Sequence, residues 1–247
     1  MPEINLIIFA GVAVFFSAMI QGTTGFGFVI VAAPIMLILF DPSLVVPVLV
    51  LQGFLLALIL LIKIYALVDL RRIWPLVLSG IIFTPVGTYF LVNLNAGVLK
   101  TIIGIVVGLT AIGMFTGLQL KAKNEKLLSI PVGALSGLLI GSTGLAGAPV
   151  ILFFTNQDVE PQRFRANITF YLQSVSIVAF PAFFISGVLT SEVFILSGLL
   201  FPGSLGGLIT GIWLHSRVSQ RIFRKIALAV VLISAIAAIL SGLTSFL

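Results

Sequence analysis

Gln21-Gly22-Thr23-Thr24-Gly25-Phe26-Gly27-Phe28 is a short stretch of glycines and hydroxyls set between two long apolar runs, and Ile140-Gly141-Ser142-Thr143-Gly144-Leu145-Ala146-Gly147 echoes it. A helix that breaks off inside hydrocarbon leaves peptide N–H and C=O groups without partners, at several kcal/mol each. Such peptide survives only where it faces protein or a water-filled cavity. Two interruptions in corresponding places therefore mark a binding site within a membrane.

That the surroundings are a membrane follows from composition. The 247 residues are 60% hydrophobic and 8% charged, with a mean hydropathy of +1.30. A soluble domain carries roughly 25% charged residues. The chain reads instead as an all-α polytopic membrane protein, its charges confined to islands between runs of spanning length. Cysteine is absent, which excludes disulfides, thiol catalysis and thiolate metal sites. The first ten residues carry Glu3 and no Lys or Arg, so they lack the basic region of a cleaved signal peptide and read as the first span. The net charge of +6 would suggest nucleic acid in a soluble protein. Here the basic residues sit between spans and act as topology signals.

Hydropathy divides the chain at about 4–21, 26–40, 44–63, 74–92 and 98–118, then 130–141, 145–155, 166–186, 192–214 and 223–246. The first two segments and the sixth and seventh are short and joined by the glycine-rich breaks, so each pair reads as a hairpin of broken or re-entrant helices. The run 130–141 would rise only about 18 Å as a helix against a hydrocarbon core of roughly 30 Å, and is expected not to span. Counting each hairpin as an even number of crossings puts every basic residue except Lys100 on one face. The positive-inside rule makes that face cytoplasmic and places both termini outside.

The two halves match. Gly22-Thr23-Thr24-Gly25 pairs with Gly141-Ser142-Thr143-Gly144, Gln52 with Gln173, and Leu99-Lys100 with Phe223-Arg224, at offsets from 119 to 124, and Pro34 has a looser counterpart in Pro149. Five segments per half is an odd number, so the second half enters from the opposite side. The expected architecture is two inverted-topology repeats, 1–118 and 130–247, joined by a polar cytoplasmic linker at 119–129.

The breaks, each followed by small residues and a proline (Gly22-Thr-Thr-Gly-Phe-Gly-Phe-Val-Ile-Val-Ala-Ala-Pro34 and Gly141-Ser-Thr-Gly-Leu-Ala-Gly-Ala-Pro149), resemble those of the TauE/SafE sulfite exporter family, also called the toluene sulfonate uptake permease family. The likeness covers nearly the whole chain and rests mainly on small residues. It implies transport of small sulfur-containing anions such as sulfite, thiosulfate or organosulfonates, in a bacterial inner (plasma) membrane. The chain departs from that pattern in having Phe28 where another glycine is common, and in a shorter distance from break to proline in the second half.

An oxyanion needs hydrogen-bond donors, and a helix beginning inside the membrane supplies unpaired N–H groups together with the positive end of its dipole. Helices starting near Phe26 and Leu145 would supply two such ends near the bilayer midplane, with no need of a buried arginine. Gln21, Thr23, Thr24, Ser142 and Thr143 add side-chain donors, and Gly25, Gly27 and Gly144 let backbone approach a ligand closely. The bland reading of these glycines is close helix packing. That reading is preferred for Gly133, Gly137 and Gly141, and for Gly104 and Gly108. Gln52 and Gln173 lie inside apolar runs in symmetric positions, where a primary amide bonds either a ligand or another helix. On the eighth segment, Asn167 with Tyr171 and Thr169 with Gln173 form two i, i+4 pairs on different faces. The Gln173 face is favoured for the site because Gln52 is its counterpart. Lys100, Arg224 and His215 read as residues at the membrane surface, and Asp41 and Glu192 as wetted segment ends.

No acidic residue falls in mid-segment, so a buried carboxylate proton relay has no candidate. Phosphate-loop, metal-ligand and catalytic constellations are missing too, and neither cofactor nor enzyme activity is expected. The expected partners are a small anion and the lipid bilayer, with a second copy of the chain as an option and no nucleic acid. A secondary carrier is the leading reading. An anion channel using the same donors is the alternative. A membrane enzyme of the lipid-phosphatase kind would need carboxylate, Arg or His clustered at the breaks, and the breaks contain none.

Overall fold

The computed structural model describes residues 4–116, 125–155 and 160–214, together with Leu232, Ala235, Ile236, Ile239 and Leu240. Among them the α-helices run α1 (Ile4–Thr24), α2 (Phe28–Leu39), α3 (Pro42–Ile64), α4 (Leu70–Asn93), α5 (Ala96–Thr116), α6 (Glu125–Thr143), α7 (Gly147–Thr155), α8 (Pro161–Ile185) and α9 (Ser191–Leu214). Residues 119–124 of the expected linker lie outside the described residues. So do His215, Arg224 and all but five isolated positions of the expected tenth segment. Seven of these helices are long and apolar enough to cross a membrane. The chain is an all-α, multi-span membrane protein.

The helices at α2 and α7, with 12 and 9 residues, are too short to cross alone. The expectation for 130–141 is corrected. That run is part of α6, which has 19 residues and rises about 28 Å, close to the thickness of the hydrocarbon core. The apolar run understates the helix at both ends. Glu125 and Lys126, assigned to the linker, form its first turn, where a carboxylate is favoured by the helix dipole. Ser142 and Thr143 extend its last turn by donating to the carbonyls of Leu138 and Leu139, each at 2.7 Å. In the same way α1 continues through Thr24 instead of ending at residue 21.

Helices in lipid gain little from the hydrophobic effect and associate through close van der Waals contact, which small residues permit. Two parallel pairs use this, α4 with α6 and α1 with α9. Gly133, Gly137 and Gly141 lie in turn on the backbone of Leu76, Gly80 and Thr84. In the other pair, Gly203, Gly207 and Gly211 lie on Gly11, Phe15 and Met19. A methyl on Gly141 would meet Thr84 O, the Gly87 carbonyl carbon and Thr88 N, and one on Gly22 would meet Leu208 O, Gly211 Cα and Ile212 N. The three residues met, Thr84, Gly87 and Thr88 in one pair and Leu208, Gly211 and Ile212 in the other, correspond at one offset of 124. The packing reading of Gly133 and Gly137 is borne out, and Gly104 packs similarly on Ala235 and Ile239.

Between these pairs α3 and α8 pack on each other, and α2 and α7 fill the space beside them. The outer surface is apolar, with Ile8 at 61%, Phe184 at 75% and Ile185 at 84% exposure, as a lipid-facing surface must be. At one end, Arg72 Nε and Nη2 donate to the Glu125 carboxylate at 3.0 and 2.8 Å, and the Asp69 N–H donates to Asn167 Oδ1 at 2.8 Å. These bonds bring the starts of α4, α6 and α8 together, along with Arg71, Arg72, Lys126, Arg163 and Arg165. Lys100, near the start of α5, belongs to the far end of α4.

Candidate functional site

Both breaks are closed by the same local device. The N–H of Gly25 donates to Gln21 O at 2.7 Å and that of Gly144 to Ile140 O at 3.0 Å, the last turns of α1 and α6. The next step of the chain needs φ of +88° at Gly25 and +76° at Gly144, a region where a side chain costs about 1–2 kcal/mol. A threonine clasps each turn. Thr24 Oγ1 lies 2.9 Å from Ile20 O and accepts the Phe26 N–H at 3.3 Å; Thr143 Oγ1 donates to Leu139 O at 2.7 Å and accepts the Leu145 N–H at 3.4 Å. Thr23 donates to Ile20 O at 2.8 Å. The hydroxyl hydrogens of Thr23, Thr24, Ser142 and Thr143 are thus directed at backbone carbonyls of their own segments.

Beyond the turns the two breaks meet. One cavity of about 50 Å³ is lined by Gln21, Gly27 and Val29 from the first and by Gly144, Ala146 and Gly147 from the second, with Gly53 of α3 and Ser176 of α8 completing it. A methyl on Gly144 would stand 3.3 Å from Val29 Cγ1, so the breaks are in near contact. Helices α2 and α7 both begin here. Peptide N–H groups of a first helical turn have no partner within the helix, and they carry the positive end of its dipole to the cavity.

Of the expected site residues, Gln21, Gly27 and Gly144 line this cavity. Thr23, Thr24, Gly25, Ser142 and Thr143 form the turns behind it. Gln52 and Gln173 sit on α3 and α8, the helices that supply its side walls. The Gln52 amide donates through Nε2 to Ser197 O on α9 at 3.4 Å, an interhelical bond. The Oε1 atoms of Gln21, Gln52 and Gln173 are all buried without a partner. An unmet buried acceptor costs about 1–3 kcal/mol. An unmet amide oxygen calls for a hydrogen-bond donor such as water, and of the three only Gln21 lines the cavity.

Two residues that hold the first break are absent from the sequence-based set. Arg165, the fifth residue of α8, donates through Nη2 to Gly22 O at 2.6 Å, and its side-chain carbons occupy the space where Gly25 lacks a Cβ. Its Nε is buried and unpaired, and no carboxylate among the described residues lies within salt-bridge distance of it. Thr169 Oγ1 lies 3.3 Å from Gly25 O and 2.7 Å from Arg165 O. The signal was available: stepping back four residues from the Thr169–Gln173 pair reaches Arg165. It was obscured because Arg165 beside Arg163 reads as a topology charge. The other face of α8 is structural. Asn167 receives the Asp69 N–H, and Tyr171 reaches Gly133 O at 3.4 Å, so both serve the contact with α4 and α6.

No curated protein and no solved structure matches the chain. The family model described as sulfite exporter TauE/SafE matches residues 10–238, a range that takes in both breaks, the shared cavity and every helix that walls it. The chain belongs to the sulfite exporter TauE/SafE family.

Proposed function

We propose that this protein is a secondary carrier for a small sulfur-containing anion, sulfite, thiosulfate or a small organosulfonate, bound where the two helix breaks meet. The observation that carries this reading is the shared cavity, onto which two helix starts and the Gln21 side chain converge. An ordered water needs about 10–15 Å³ of such space, so about 50 Å³ suits a few waters or one oxyanion of four or five heavy atoms. Turned about its last bond, the Gln21 amide presents two N–H donors to an anion. Sulfur as the central atom comes from the family, not from the cavity.

The equivalent glycine contacts in the α1–α9 and α4–α6 pairs support an inverted-repeat architecture made of 1–118 and 130–247. Alternating access would then be a rocking of one half against the other around the breaks. By the positive-inside rule, the end holding Arg72, Lys126 and Arg163 faces the cytoplasm of a cell whose plasma membrane holds the protein. The anion leaves down its electrical gradient, since such an interior is negative.

The test is counterflow of radiolabelled sulfite in proteoliposomes. Saturable uptake accelerated by unlabelled sulfite or thiosulfate inside the vesicle is expected, and Gln21→Leu should raise KM about tenfold, the loss of one charged-ligand hydrogen bond of ~1.5 kcal/mol. Absence of counterflow for every sulfur anion offered would sink the proposal. Single-channel currents in its place would make the protein a channel.

A further inference from the structure

We infer that Arg165 is a cationic ligand for the transported anion, and that in the empty protein it holds the first helix break against α8 until the anion takes its place. This rests on the carrier reading above but makes a separate claim, that one specific charge couples the cargo to movement of one specific break.

The argument begins with an unbalanced charge. Arg165 stands one turn inside α8 and is partly buried, and a guanidinium that loses water there is costly unless paired. Arg165 has no carboxylate partner among the described residues, and its Nε is buried with no acceptor at all. Its one hydrogen bond goes to a neutral carbonyl, that of Gly22. The group is therefore held, by contact and one bond, with no negative charge among the described residues to meet it. A planar fork of five N–H donors fits an oxyanion through two parallel bonds, which is the geometry Nε and Nη offer.

Position gives the second step. Arg165, Thr169, Leu172 and Ser176 follow one another at i, i+4, i+7 and i+11, a single face of α8. Leu172 and Ser176 line the shared cavity, Thr169 reaches Gly25 O, and Arg165 reaches Gly22 O and covers Gly25. One stripe thus runs from the cavity to the end of the helix where the basic residues collect. Gln21, whose Oε1 is buried without a partner, is one residue before Gly22 and on the cavity wall.

The third step is a difference between the halves. With Gln52 and Gln173 as counterparts, an offset of 121, the positions on α3 that match Arg165 and Thr169 are Leu44 and Val48. The second break receives no such polar grip from α3. Among the described residues only the first is tied by a charge, which makes the first the one an ion of opposite charge can release. An anion that draws the guanidinium away from Gly22 O removes the charged hold of α8 on the first break and leaves the weaker contacts, Thr169 at Gly25 O and Phe164 against the Phe26 ring.

The natural absence of cysteine allows a direct test. Phe26→Cys, in the first break, is labelled with a membrane-impermeant maleimide in purified protein, with isethionate, sulfate, phosphate or chloride added, since sulfite and thiosulfate would themselves consume the maleimide. At least one oxyanion is expected to change the labelling rate about fivefold or more with Arg165 present. Arg165→Gln should abolish that response. Arg165→Lys, which keeps the charge but loses the fork, should keep it at a higher anion concentration, and it serves if Arg165→Gln does not fold. A rate indifferent to every anion with Arg165 in place, an equal response in Arg165→Gln, or an unshifted concentration dependence in Arg165→Lys overturns the inference whatever transport assays find. Failure of sulfite counterflow with an intact response to another oxyanion would instead overturn the sulfur-anion reading and leave this one standing.

Discussion

The two breaks are alike in local geometry and unlike in what surrounds them. Each has a left-handed glycine and a threonine clasp, and each sits beside a glycine pressed onto the neighbouring helix at Gly22 or Gly141. Yet residues 141–148 are buried without exception or nearly so, whereas Thr24, Phe26 and Gly27 in the first break are only half-buried. The second break packs against the methyls of Val29, Val46 and Val50, and its Ala146 carbonyl receives the Ser136 hydroxyl of α6. At the corresponding place in the first break, Ser17 donates to its own helix, to Ala13 O at 2.7 Å, and the grip comes from Arg165 and Thr169 of α8. The lesson is that a repeated motif fixes the shape of a turn, while the neighbouring helix decides whether that turn is a fixed wall or a releasable one.

The largest effect should come from removing what the breaks share. Thr24→Val with Thr143→Val keeps side-chain volume but removes both clasps, and transport should fall to background while the purified protein remains monodisperse. Wild-type rates in that double variant would show that neither clasp matters to the site. Next in size is a contrast between the glycines. Gly25→Ala and Gly144→Ala carry the same backbone strain, about 1–2 kcal/mol. The new methyl meets the Arg165 side chain in one case and valine methyls at 3.3 and 3.4 Å in the other. Gly25→Ala should therefore lose more transport than Gly144→Ala at a comparable loss of Tm, and the reverse order would break the distinction between wall and gate. The smallest contrast is between serines. Ser136→Ala leaves a buried carbonyl unmet and should cost about 1–3 kcal/mol, whereas Ser17→Ala removes a bond its helix can spare and should stay within about 0.5 kcal/mol. Equal losses in thermal unfolding would mean that Ser136 does not anchor the second break.

Much of this was legible because lipid imposes simple rules. Runs of apolar residues have to become helices, and a cluster such as Gly22-Thr23-Thr24-Gly25 inside them has to be a protected interruption. The structure places the breaks where the sequence does. It differs at the ends of α6, since a hydropathy boundary records where side chains stop being apolar and not where backbone hydrogen bonds stop. Glu125 and Lys126 are polar and helical at once.

The amino-acid sequence by itself determined the class of protein, the order of its helices, the two breaks and the family, because these depend on local composition and on spacing along the chain. Only the tertiary structure decided that the breaks share one cavity, that Gln52 bonds to α9, and that Arg165 reaches across to Gly22. Those contacts join residues more than a hundred positions apart. Their partners are set by how glycine seams bring whole helices together, and no local pattern encodes which side chain will then face which carbonyl.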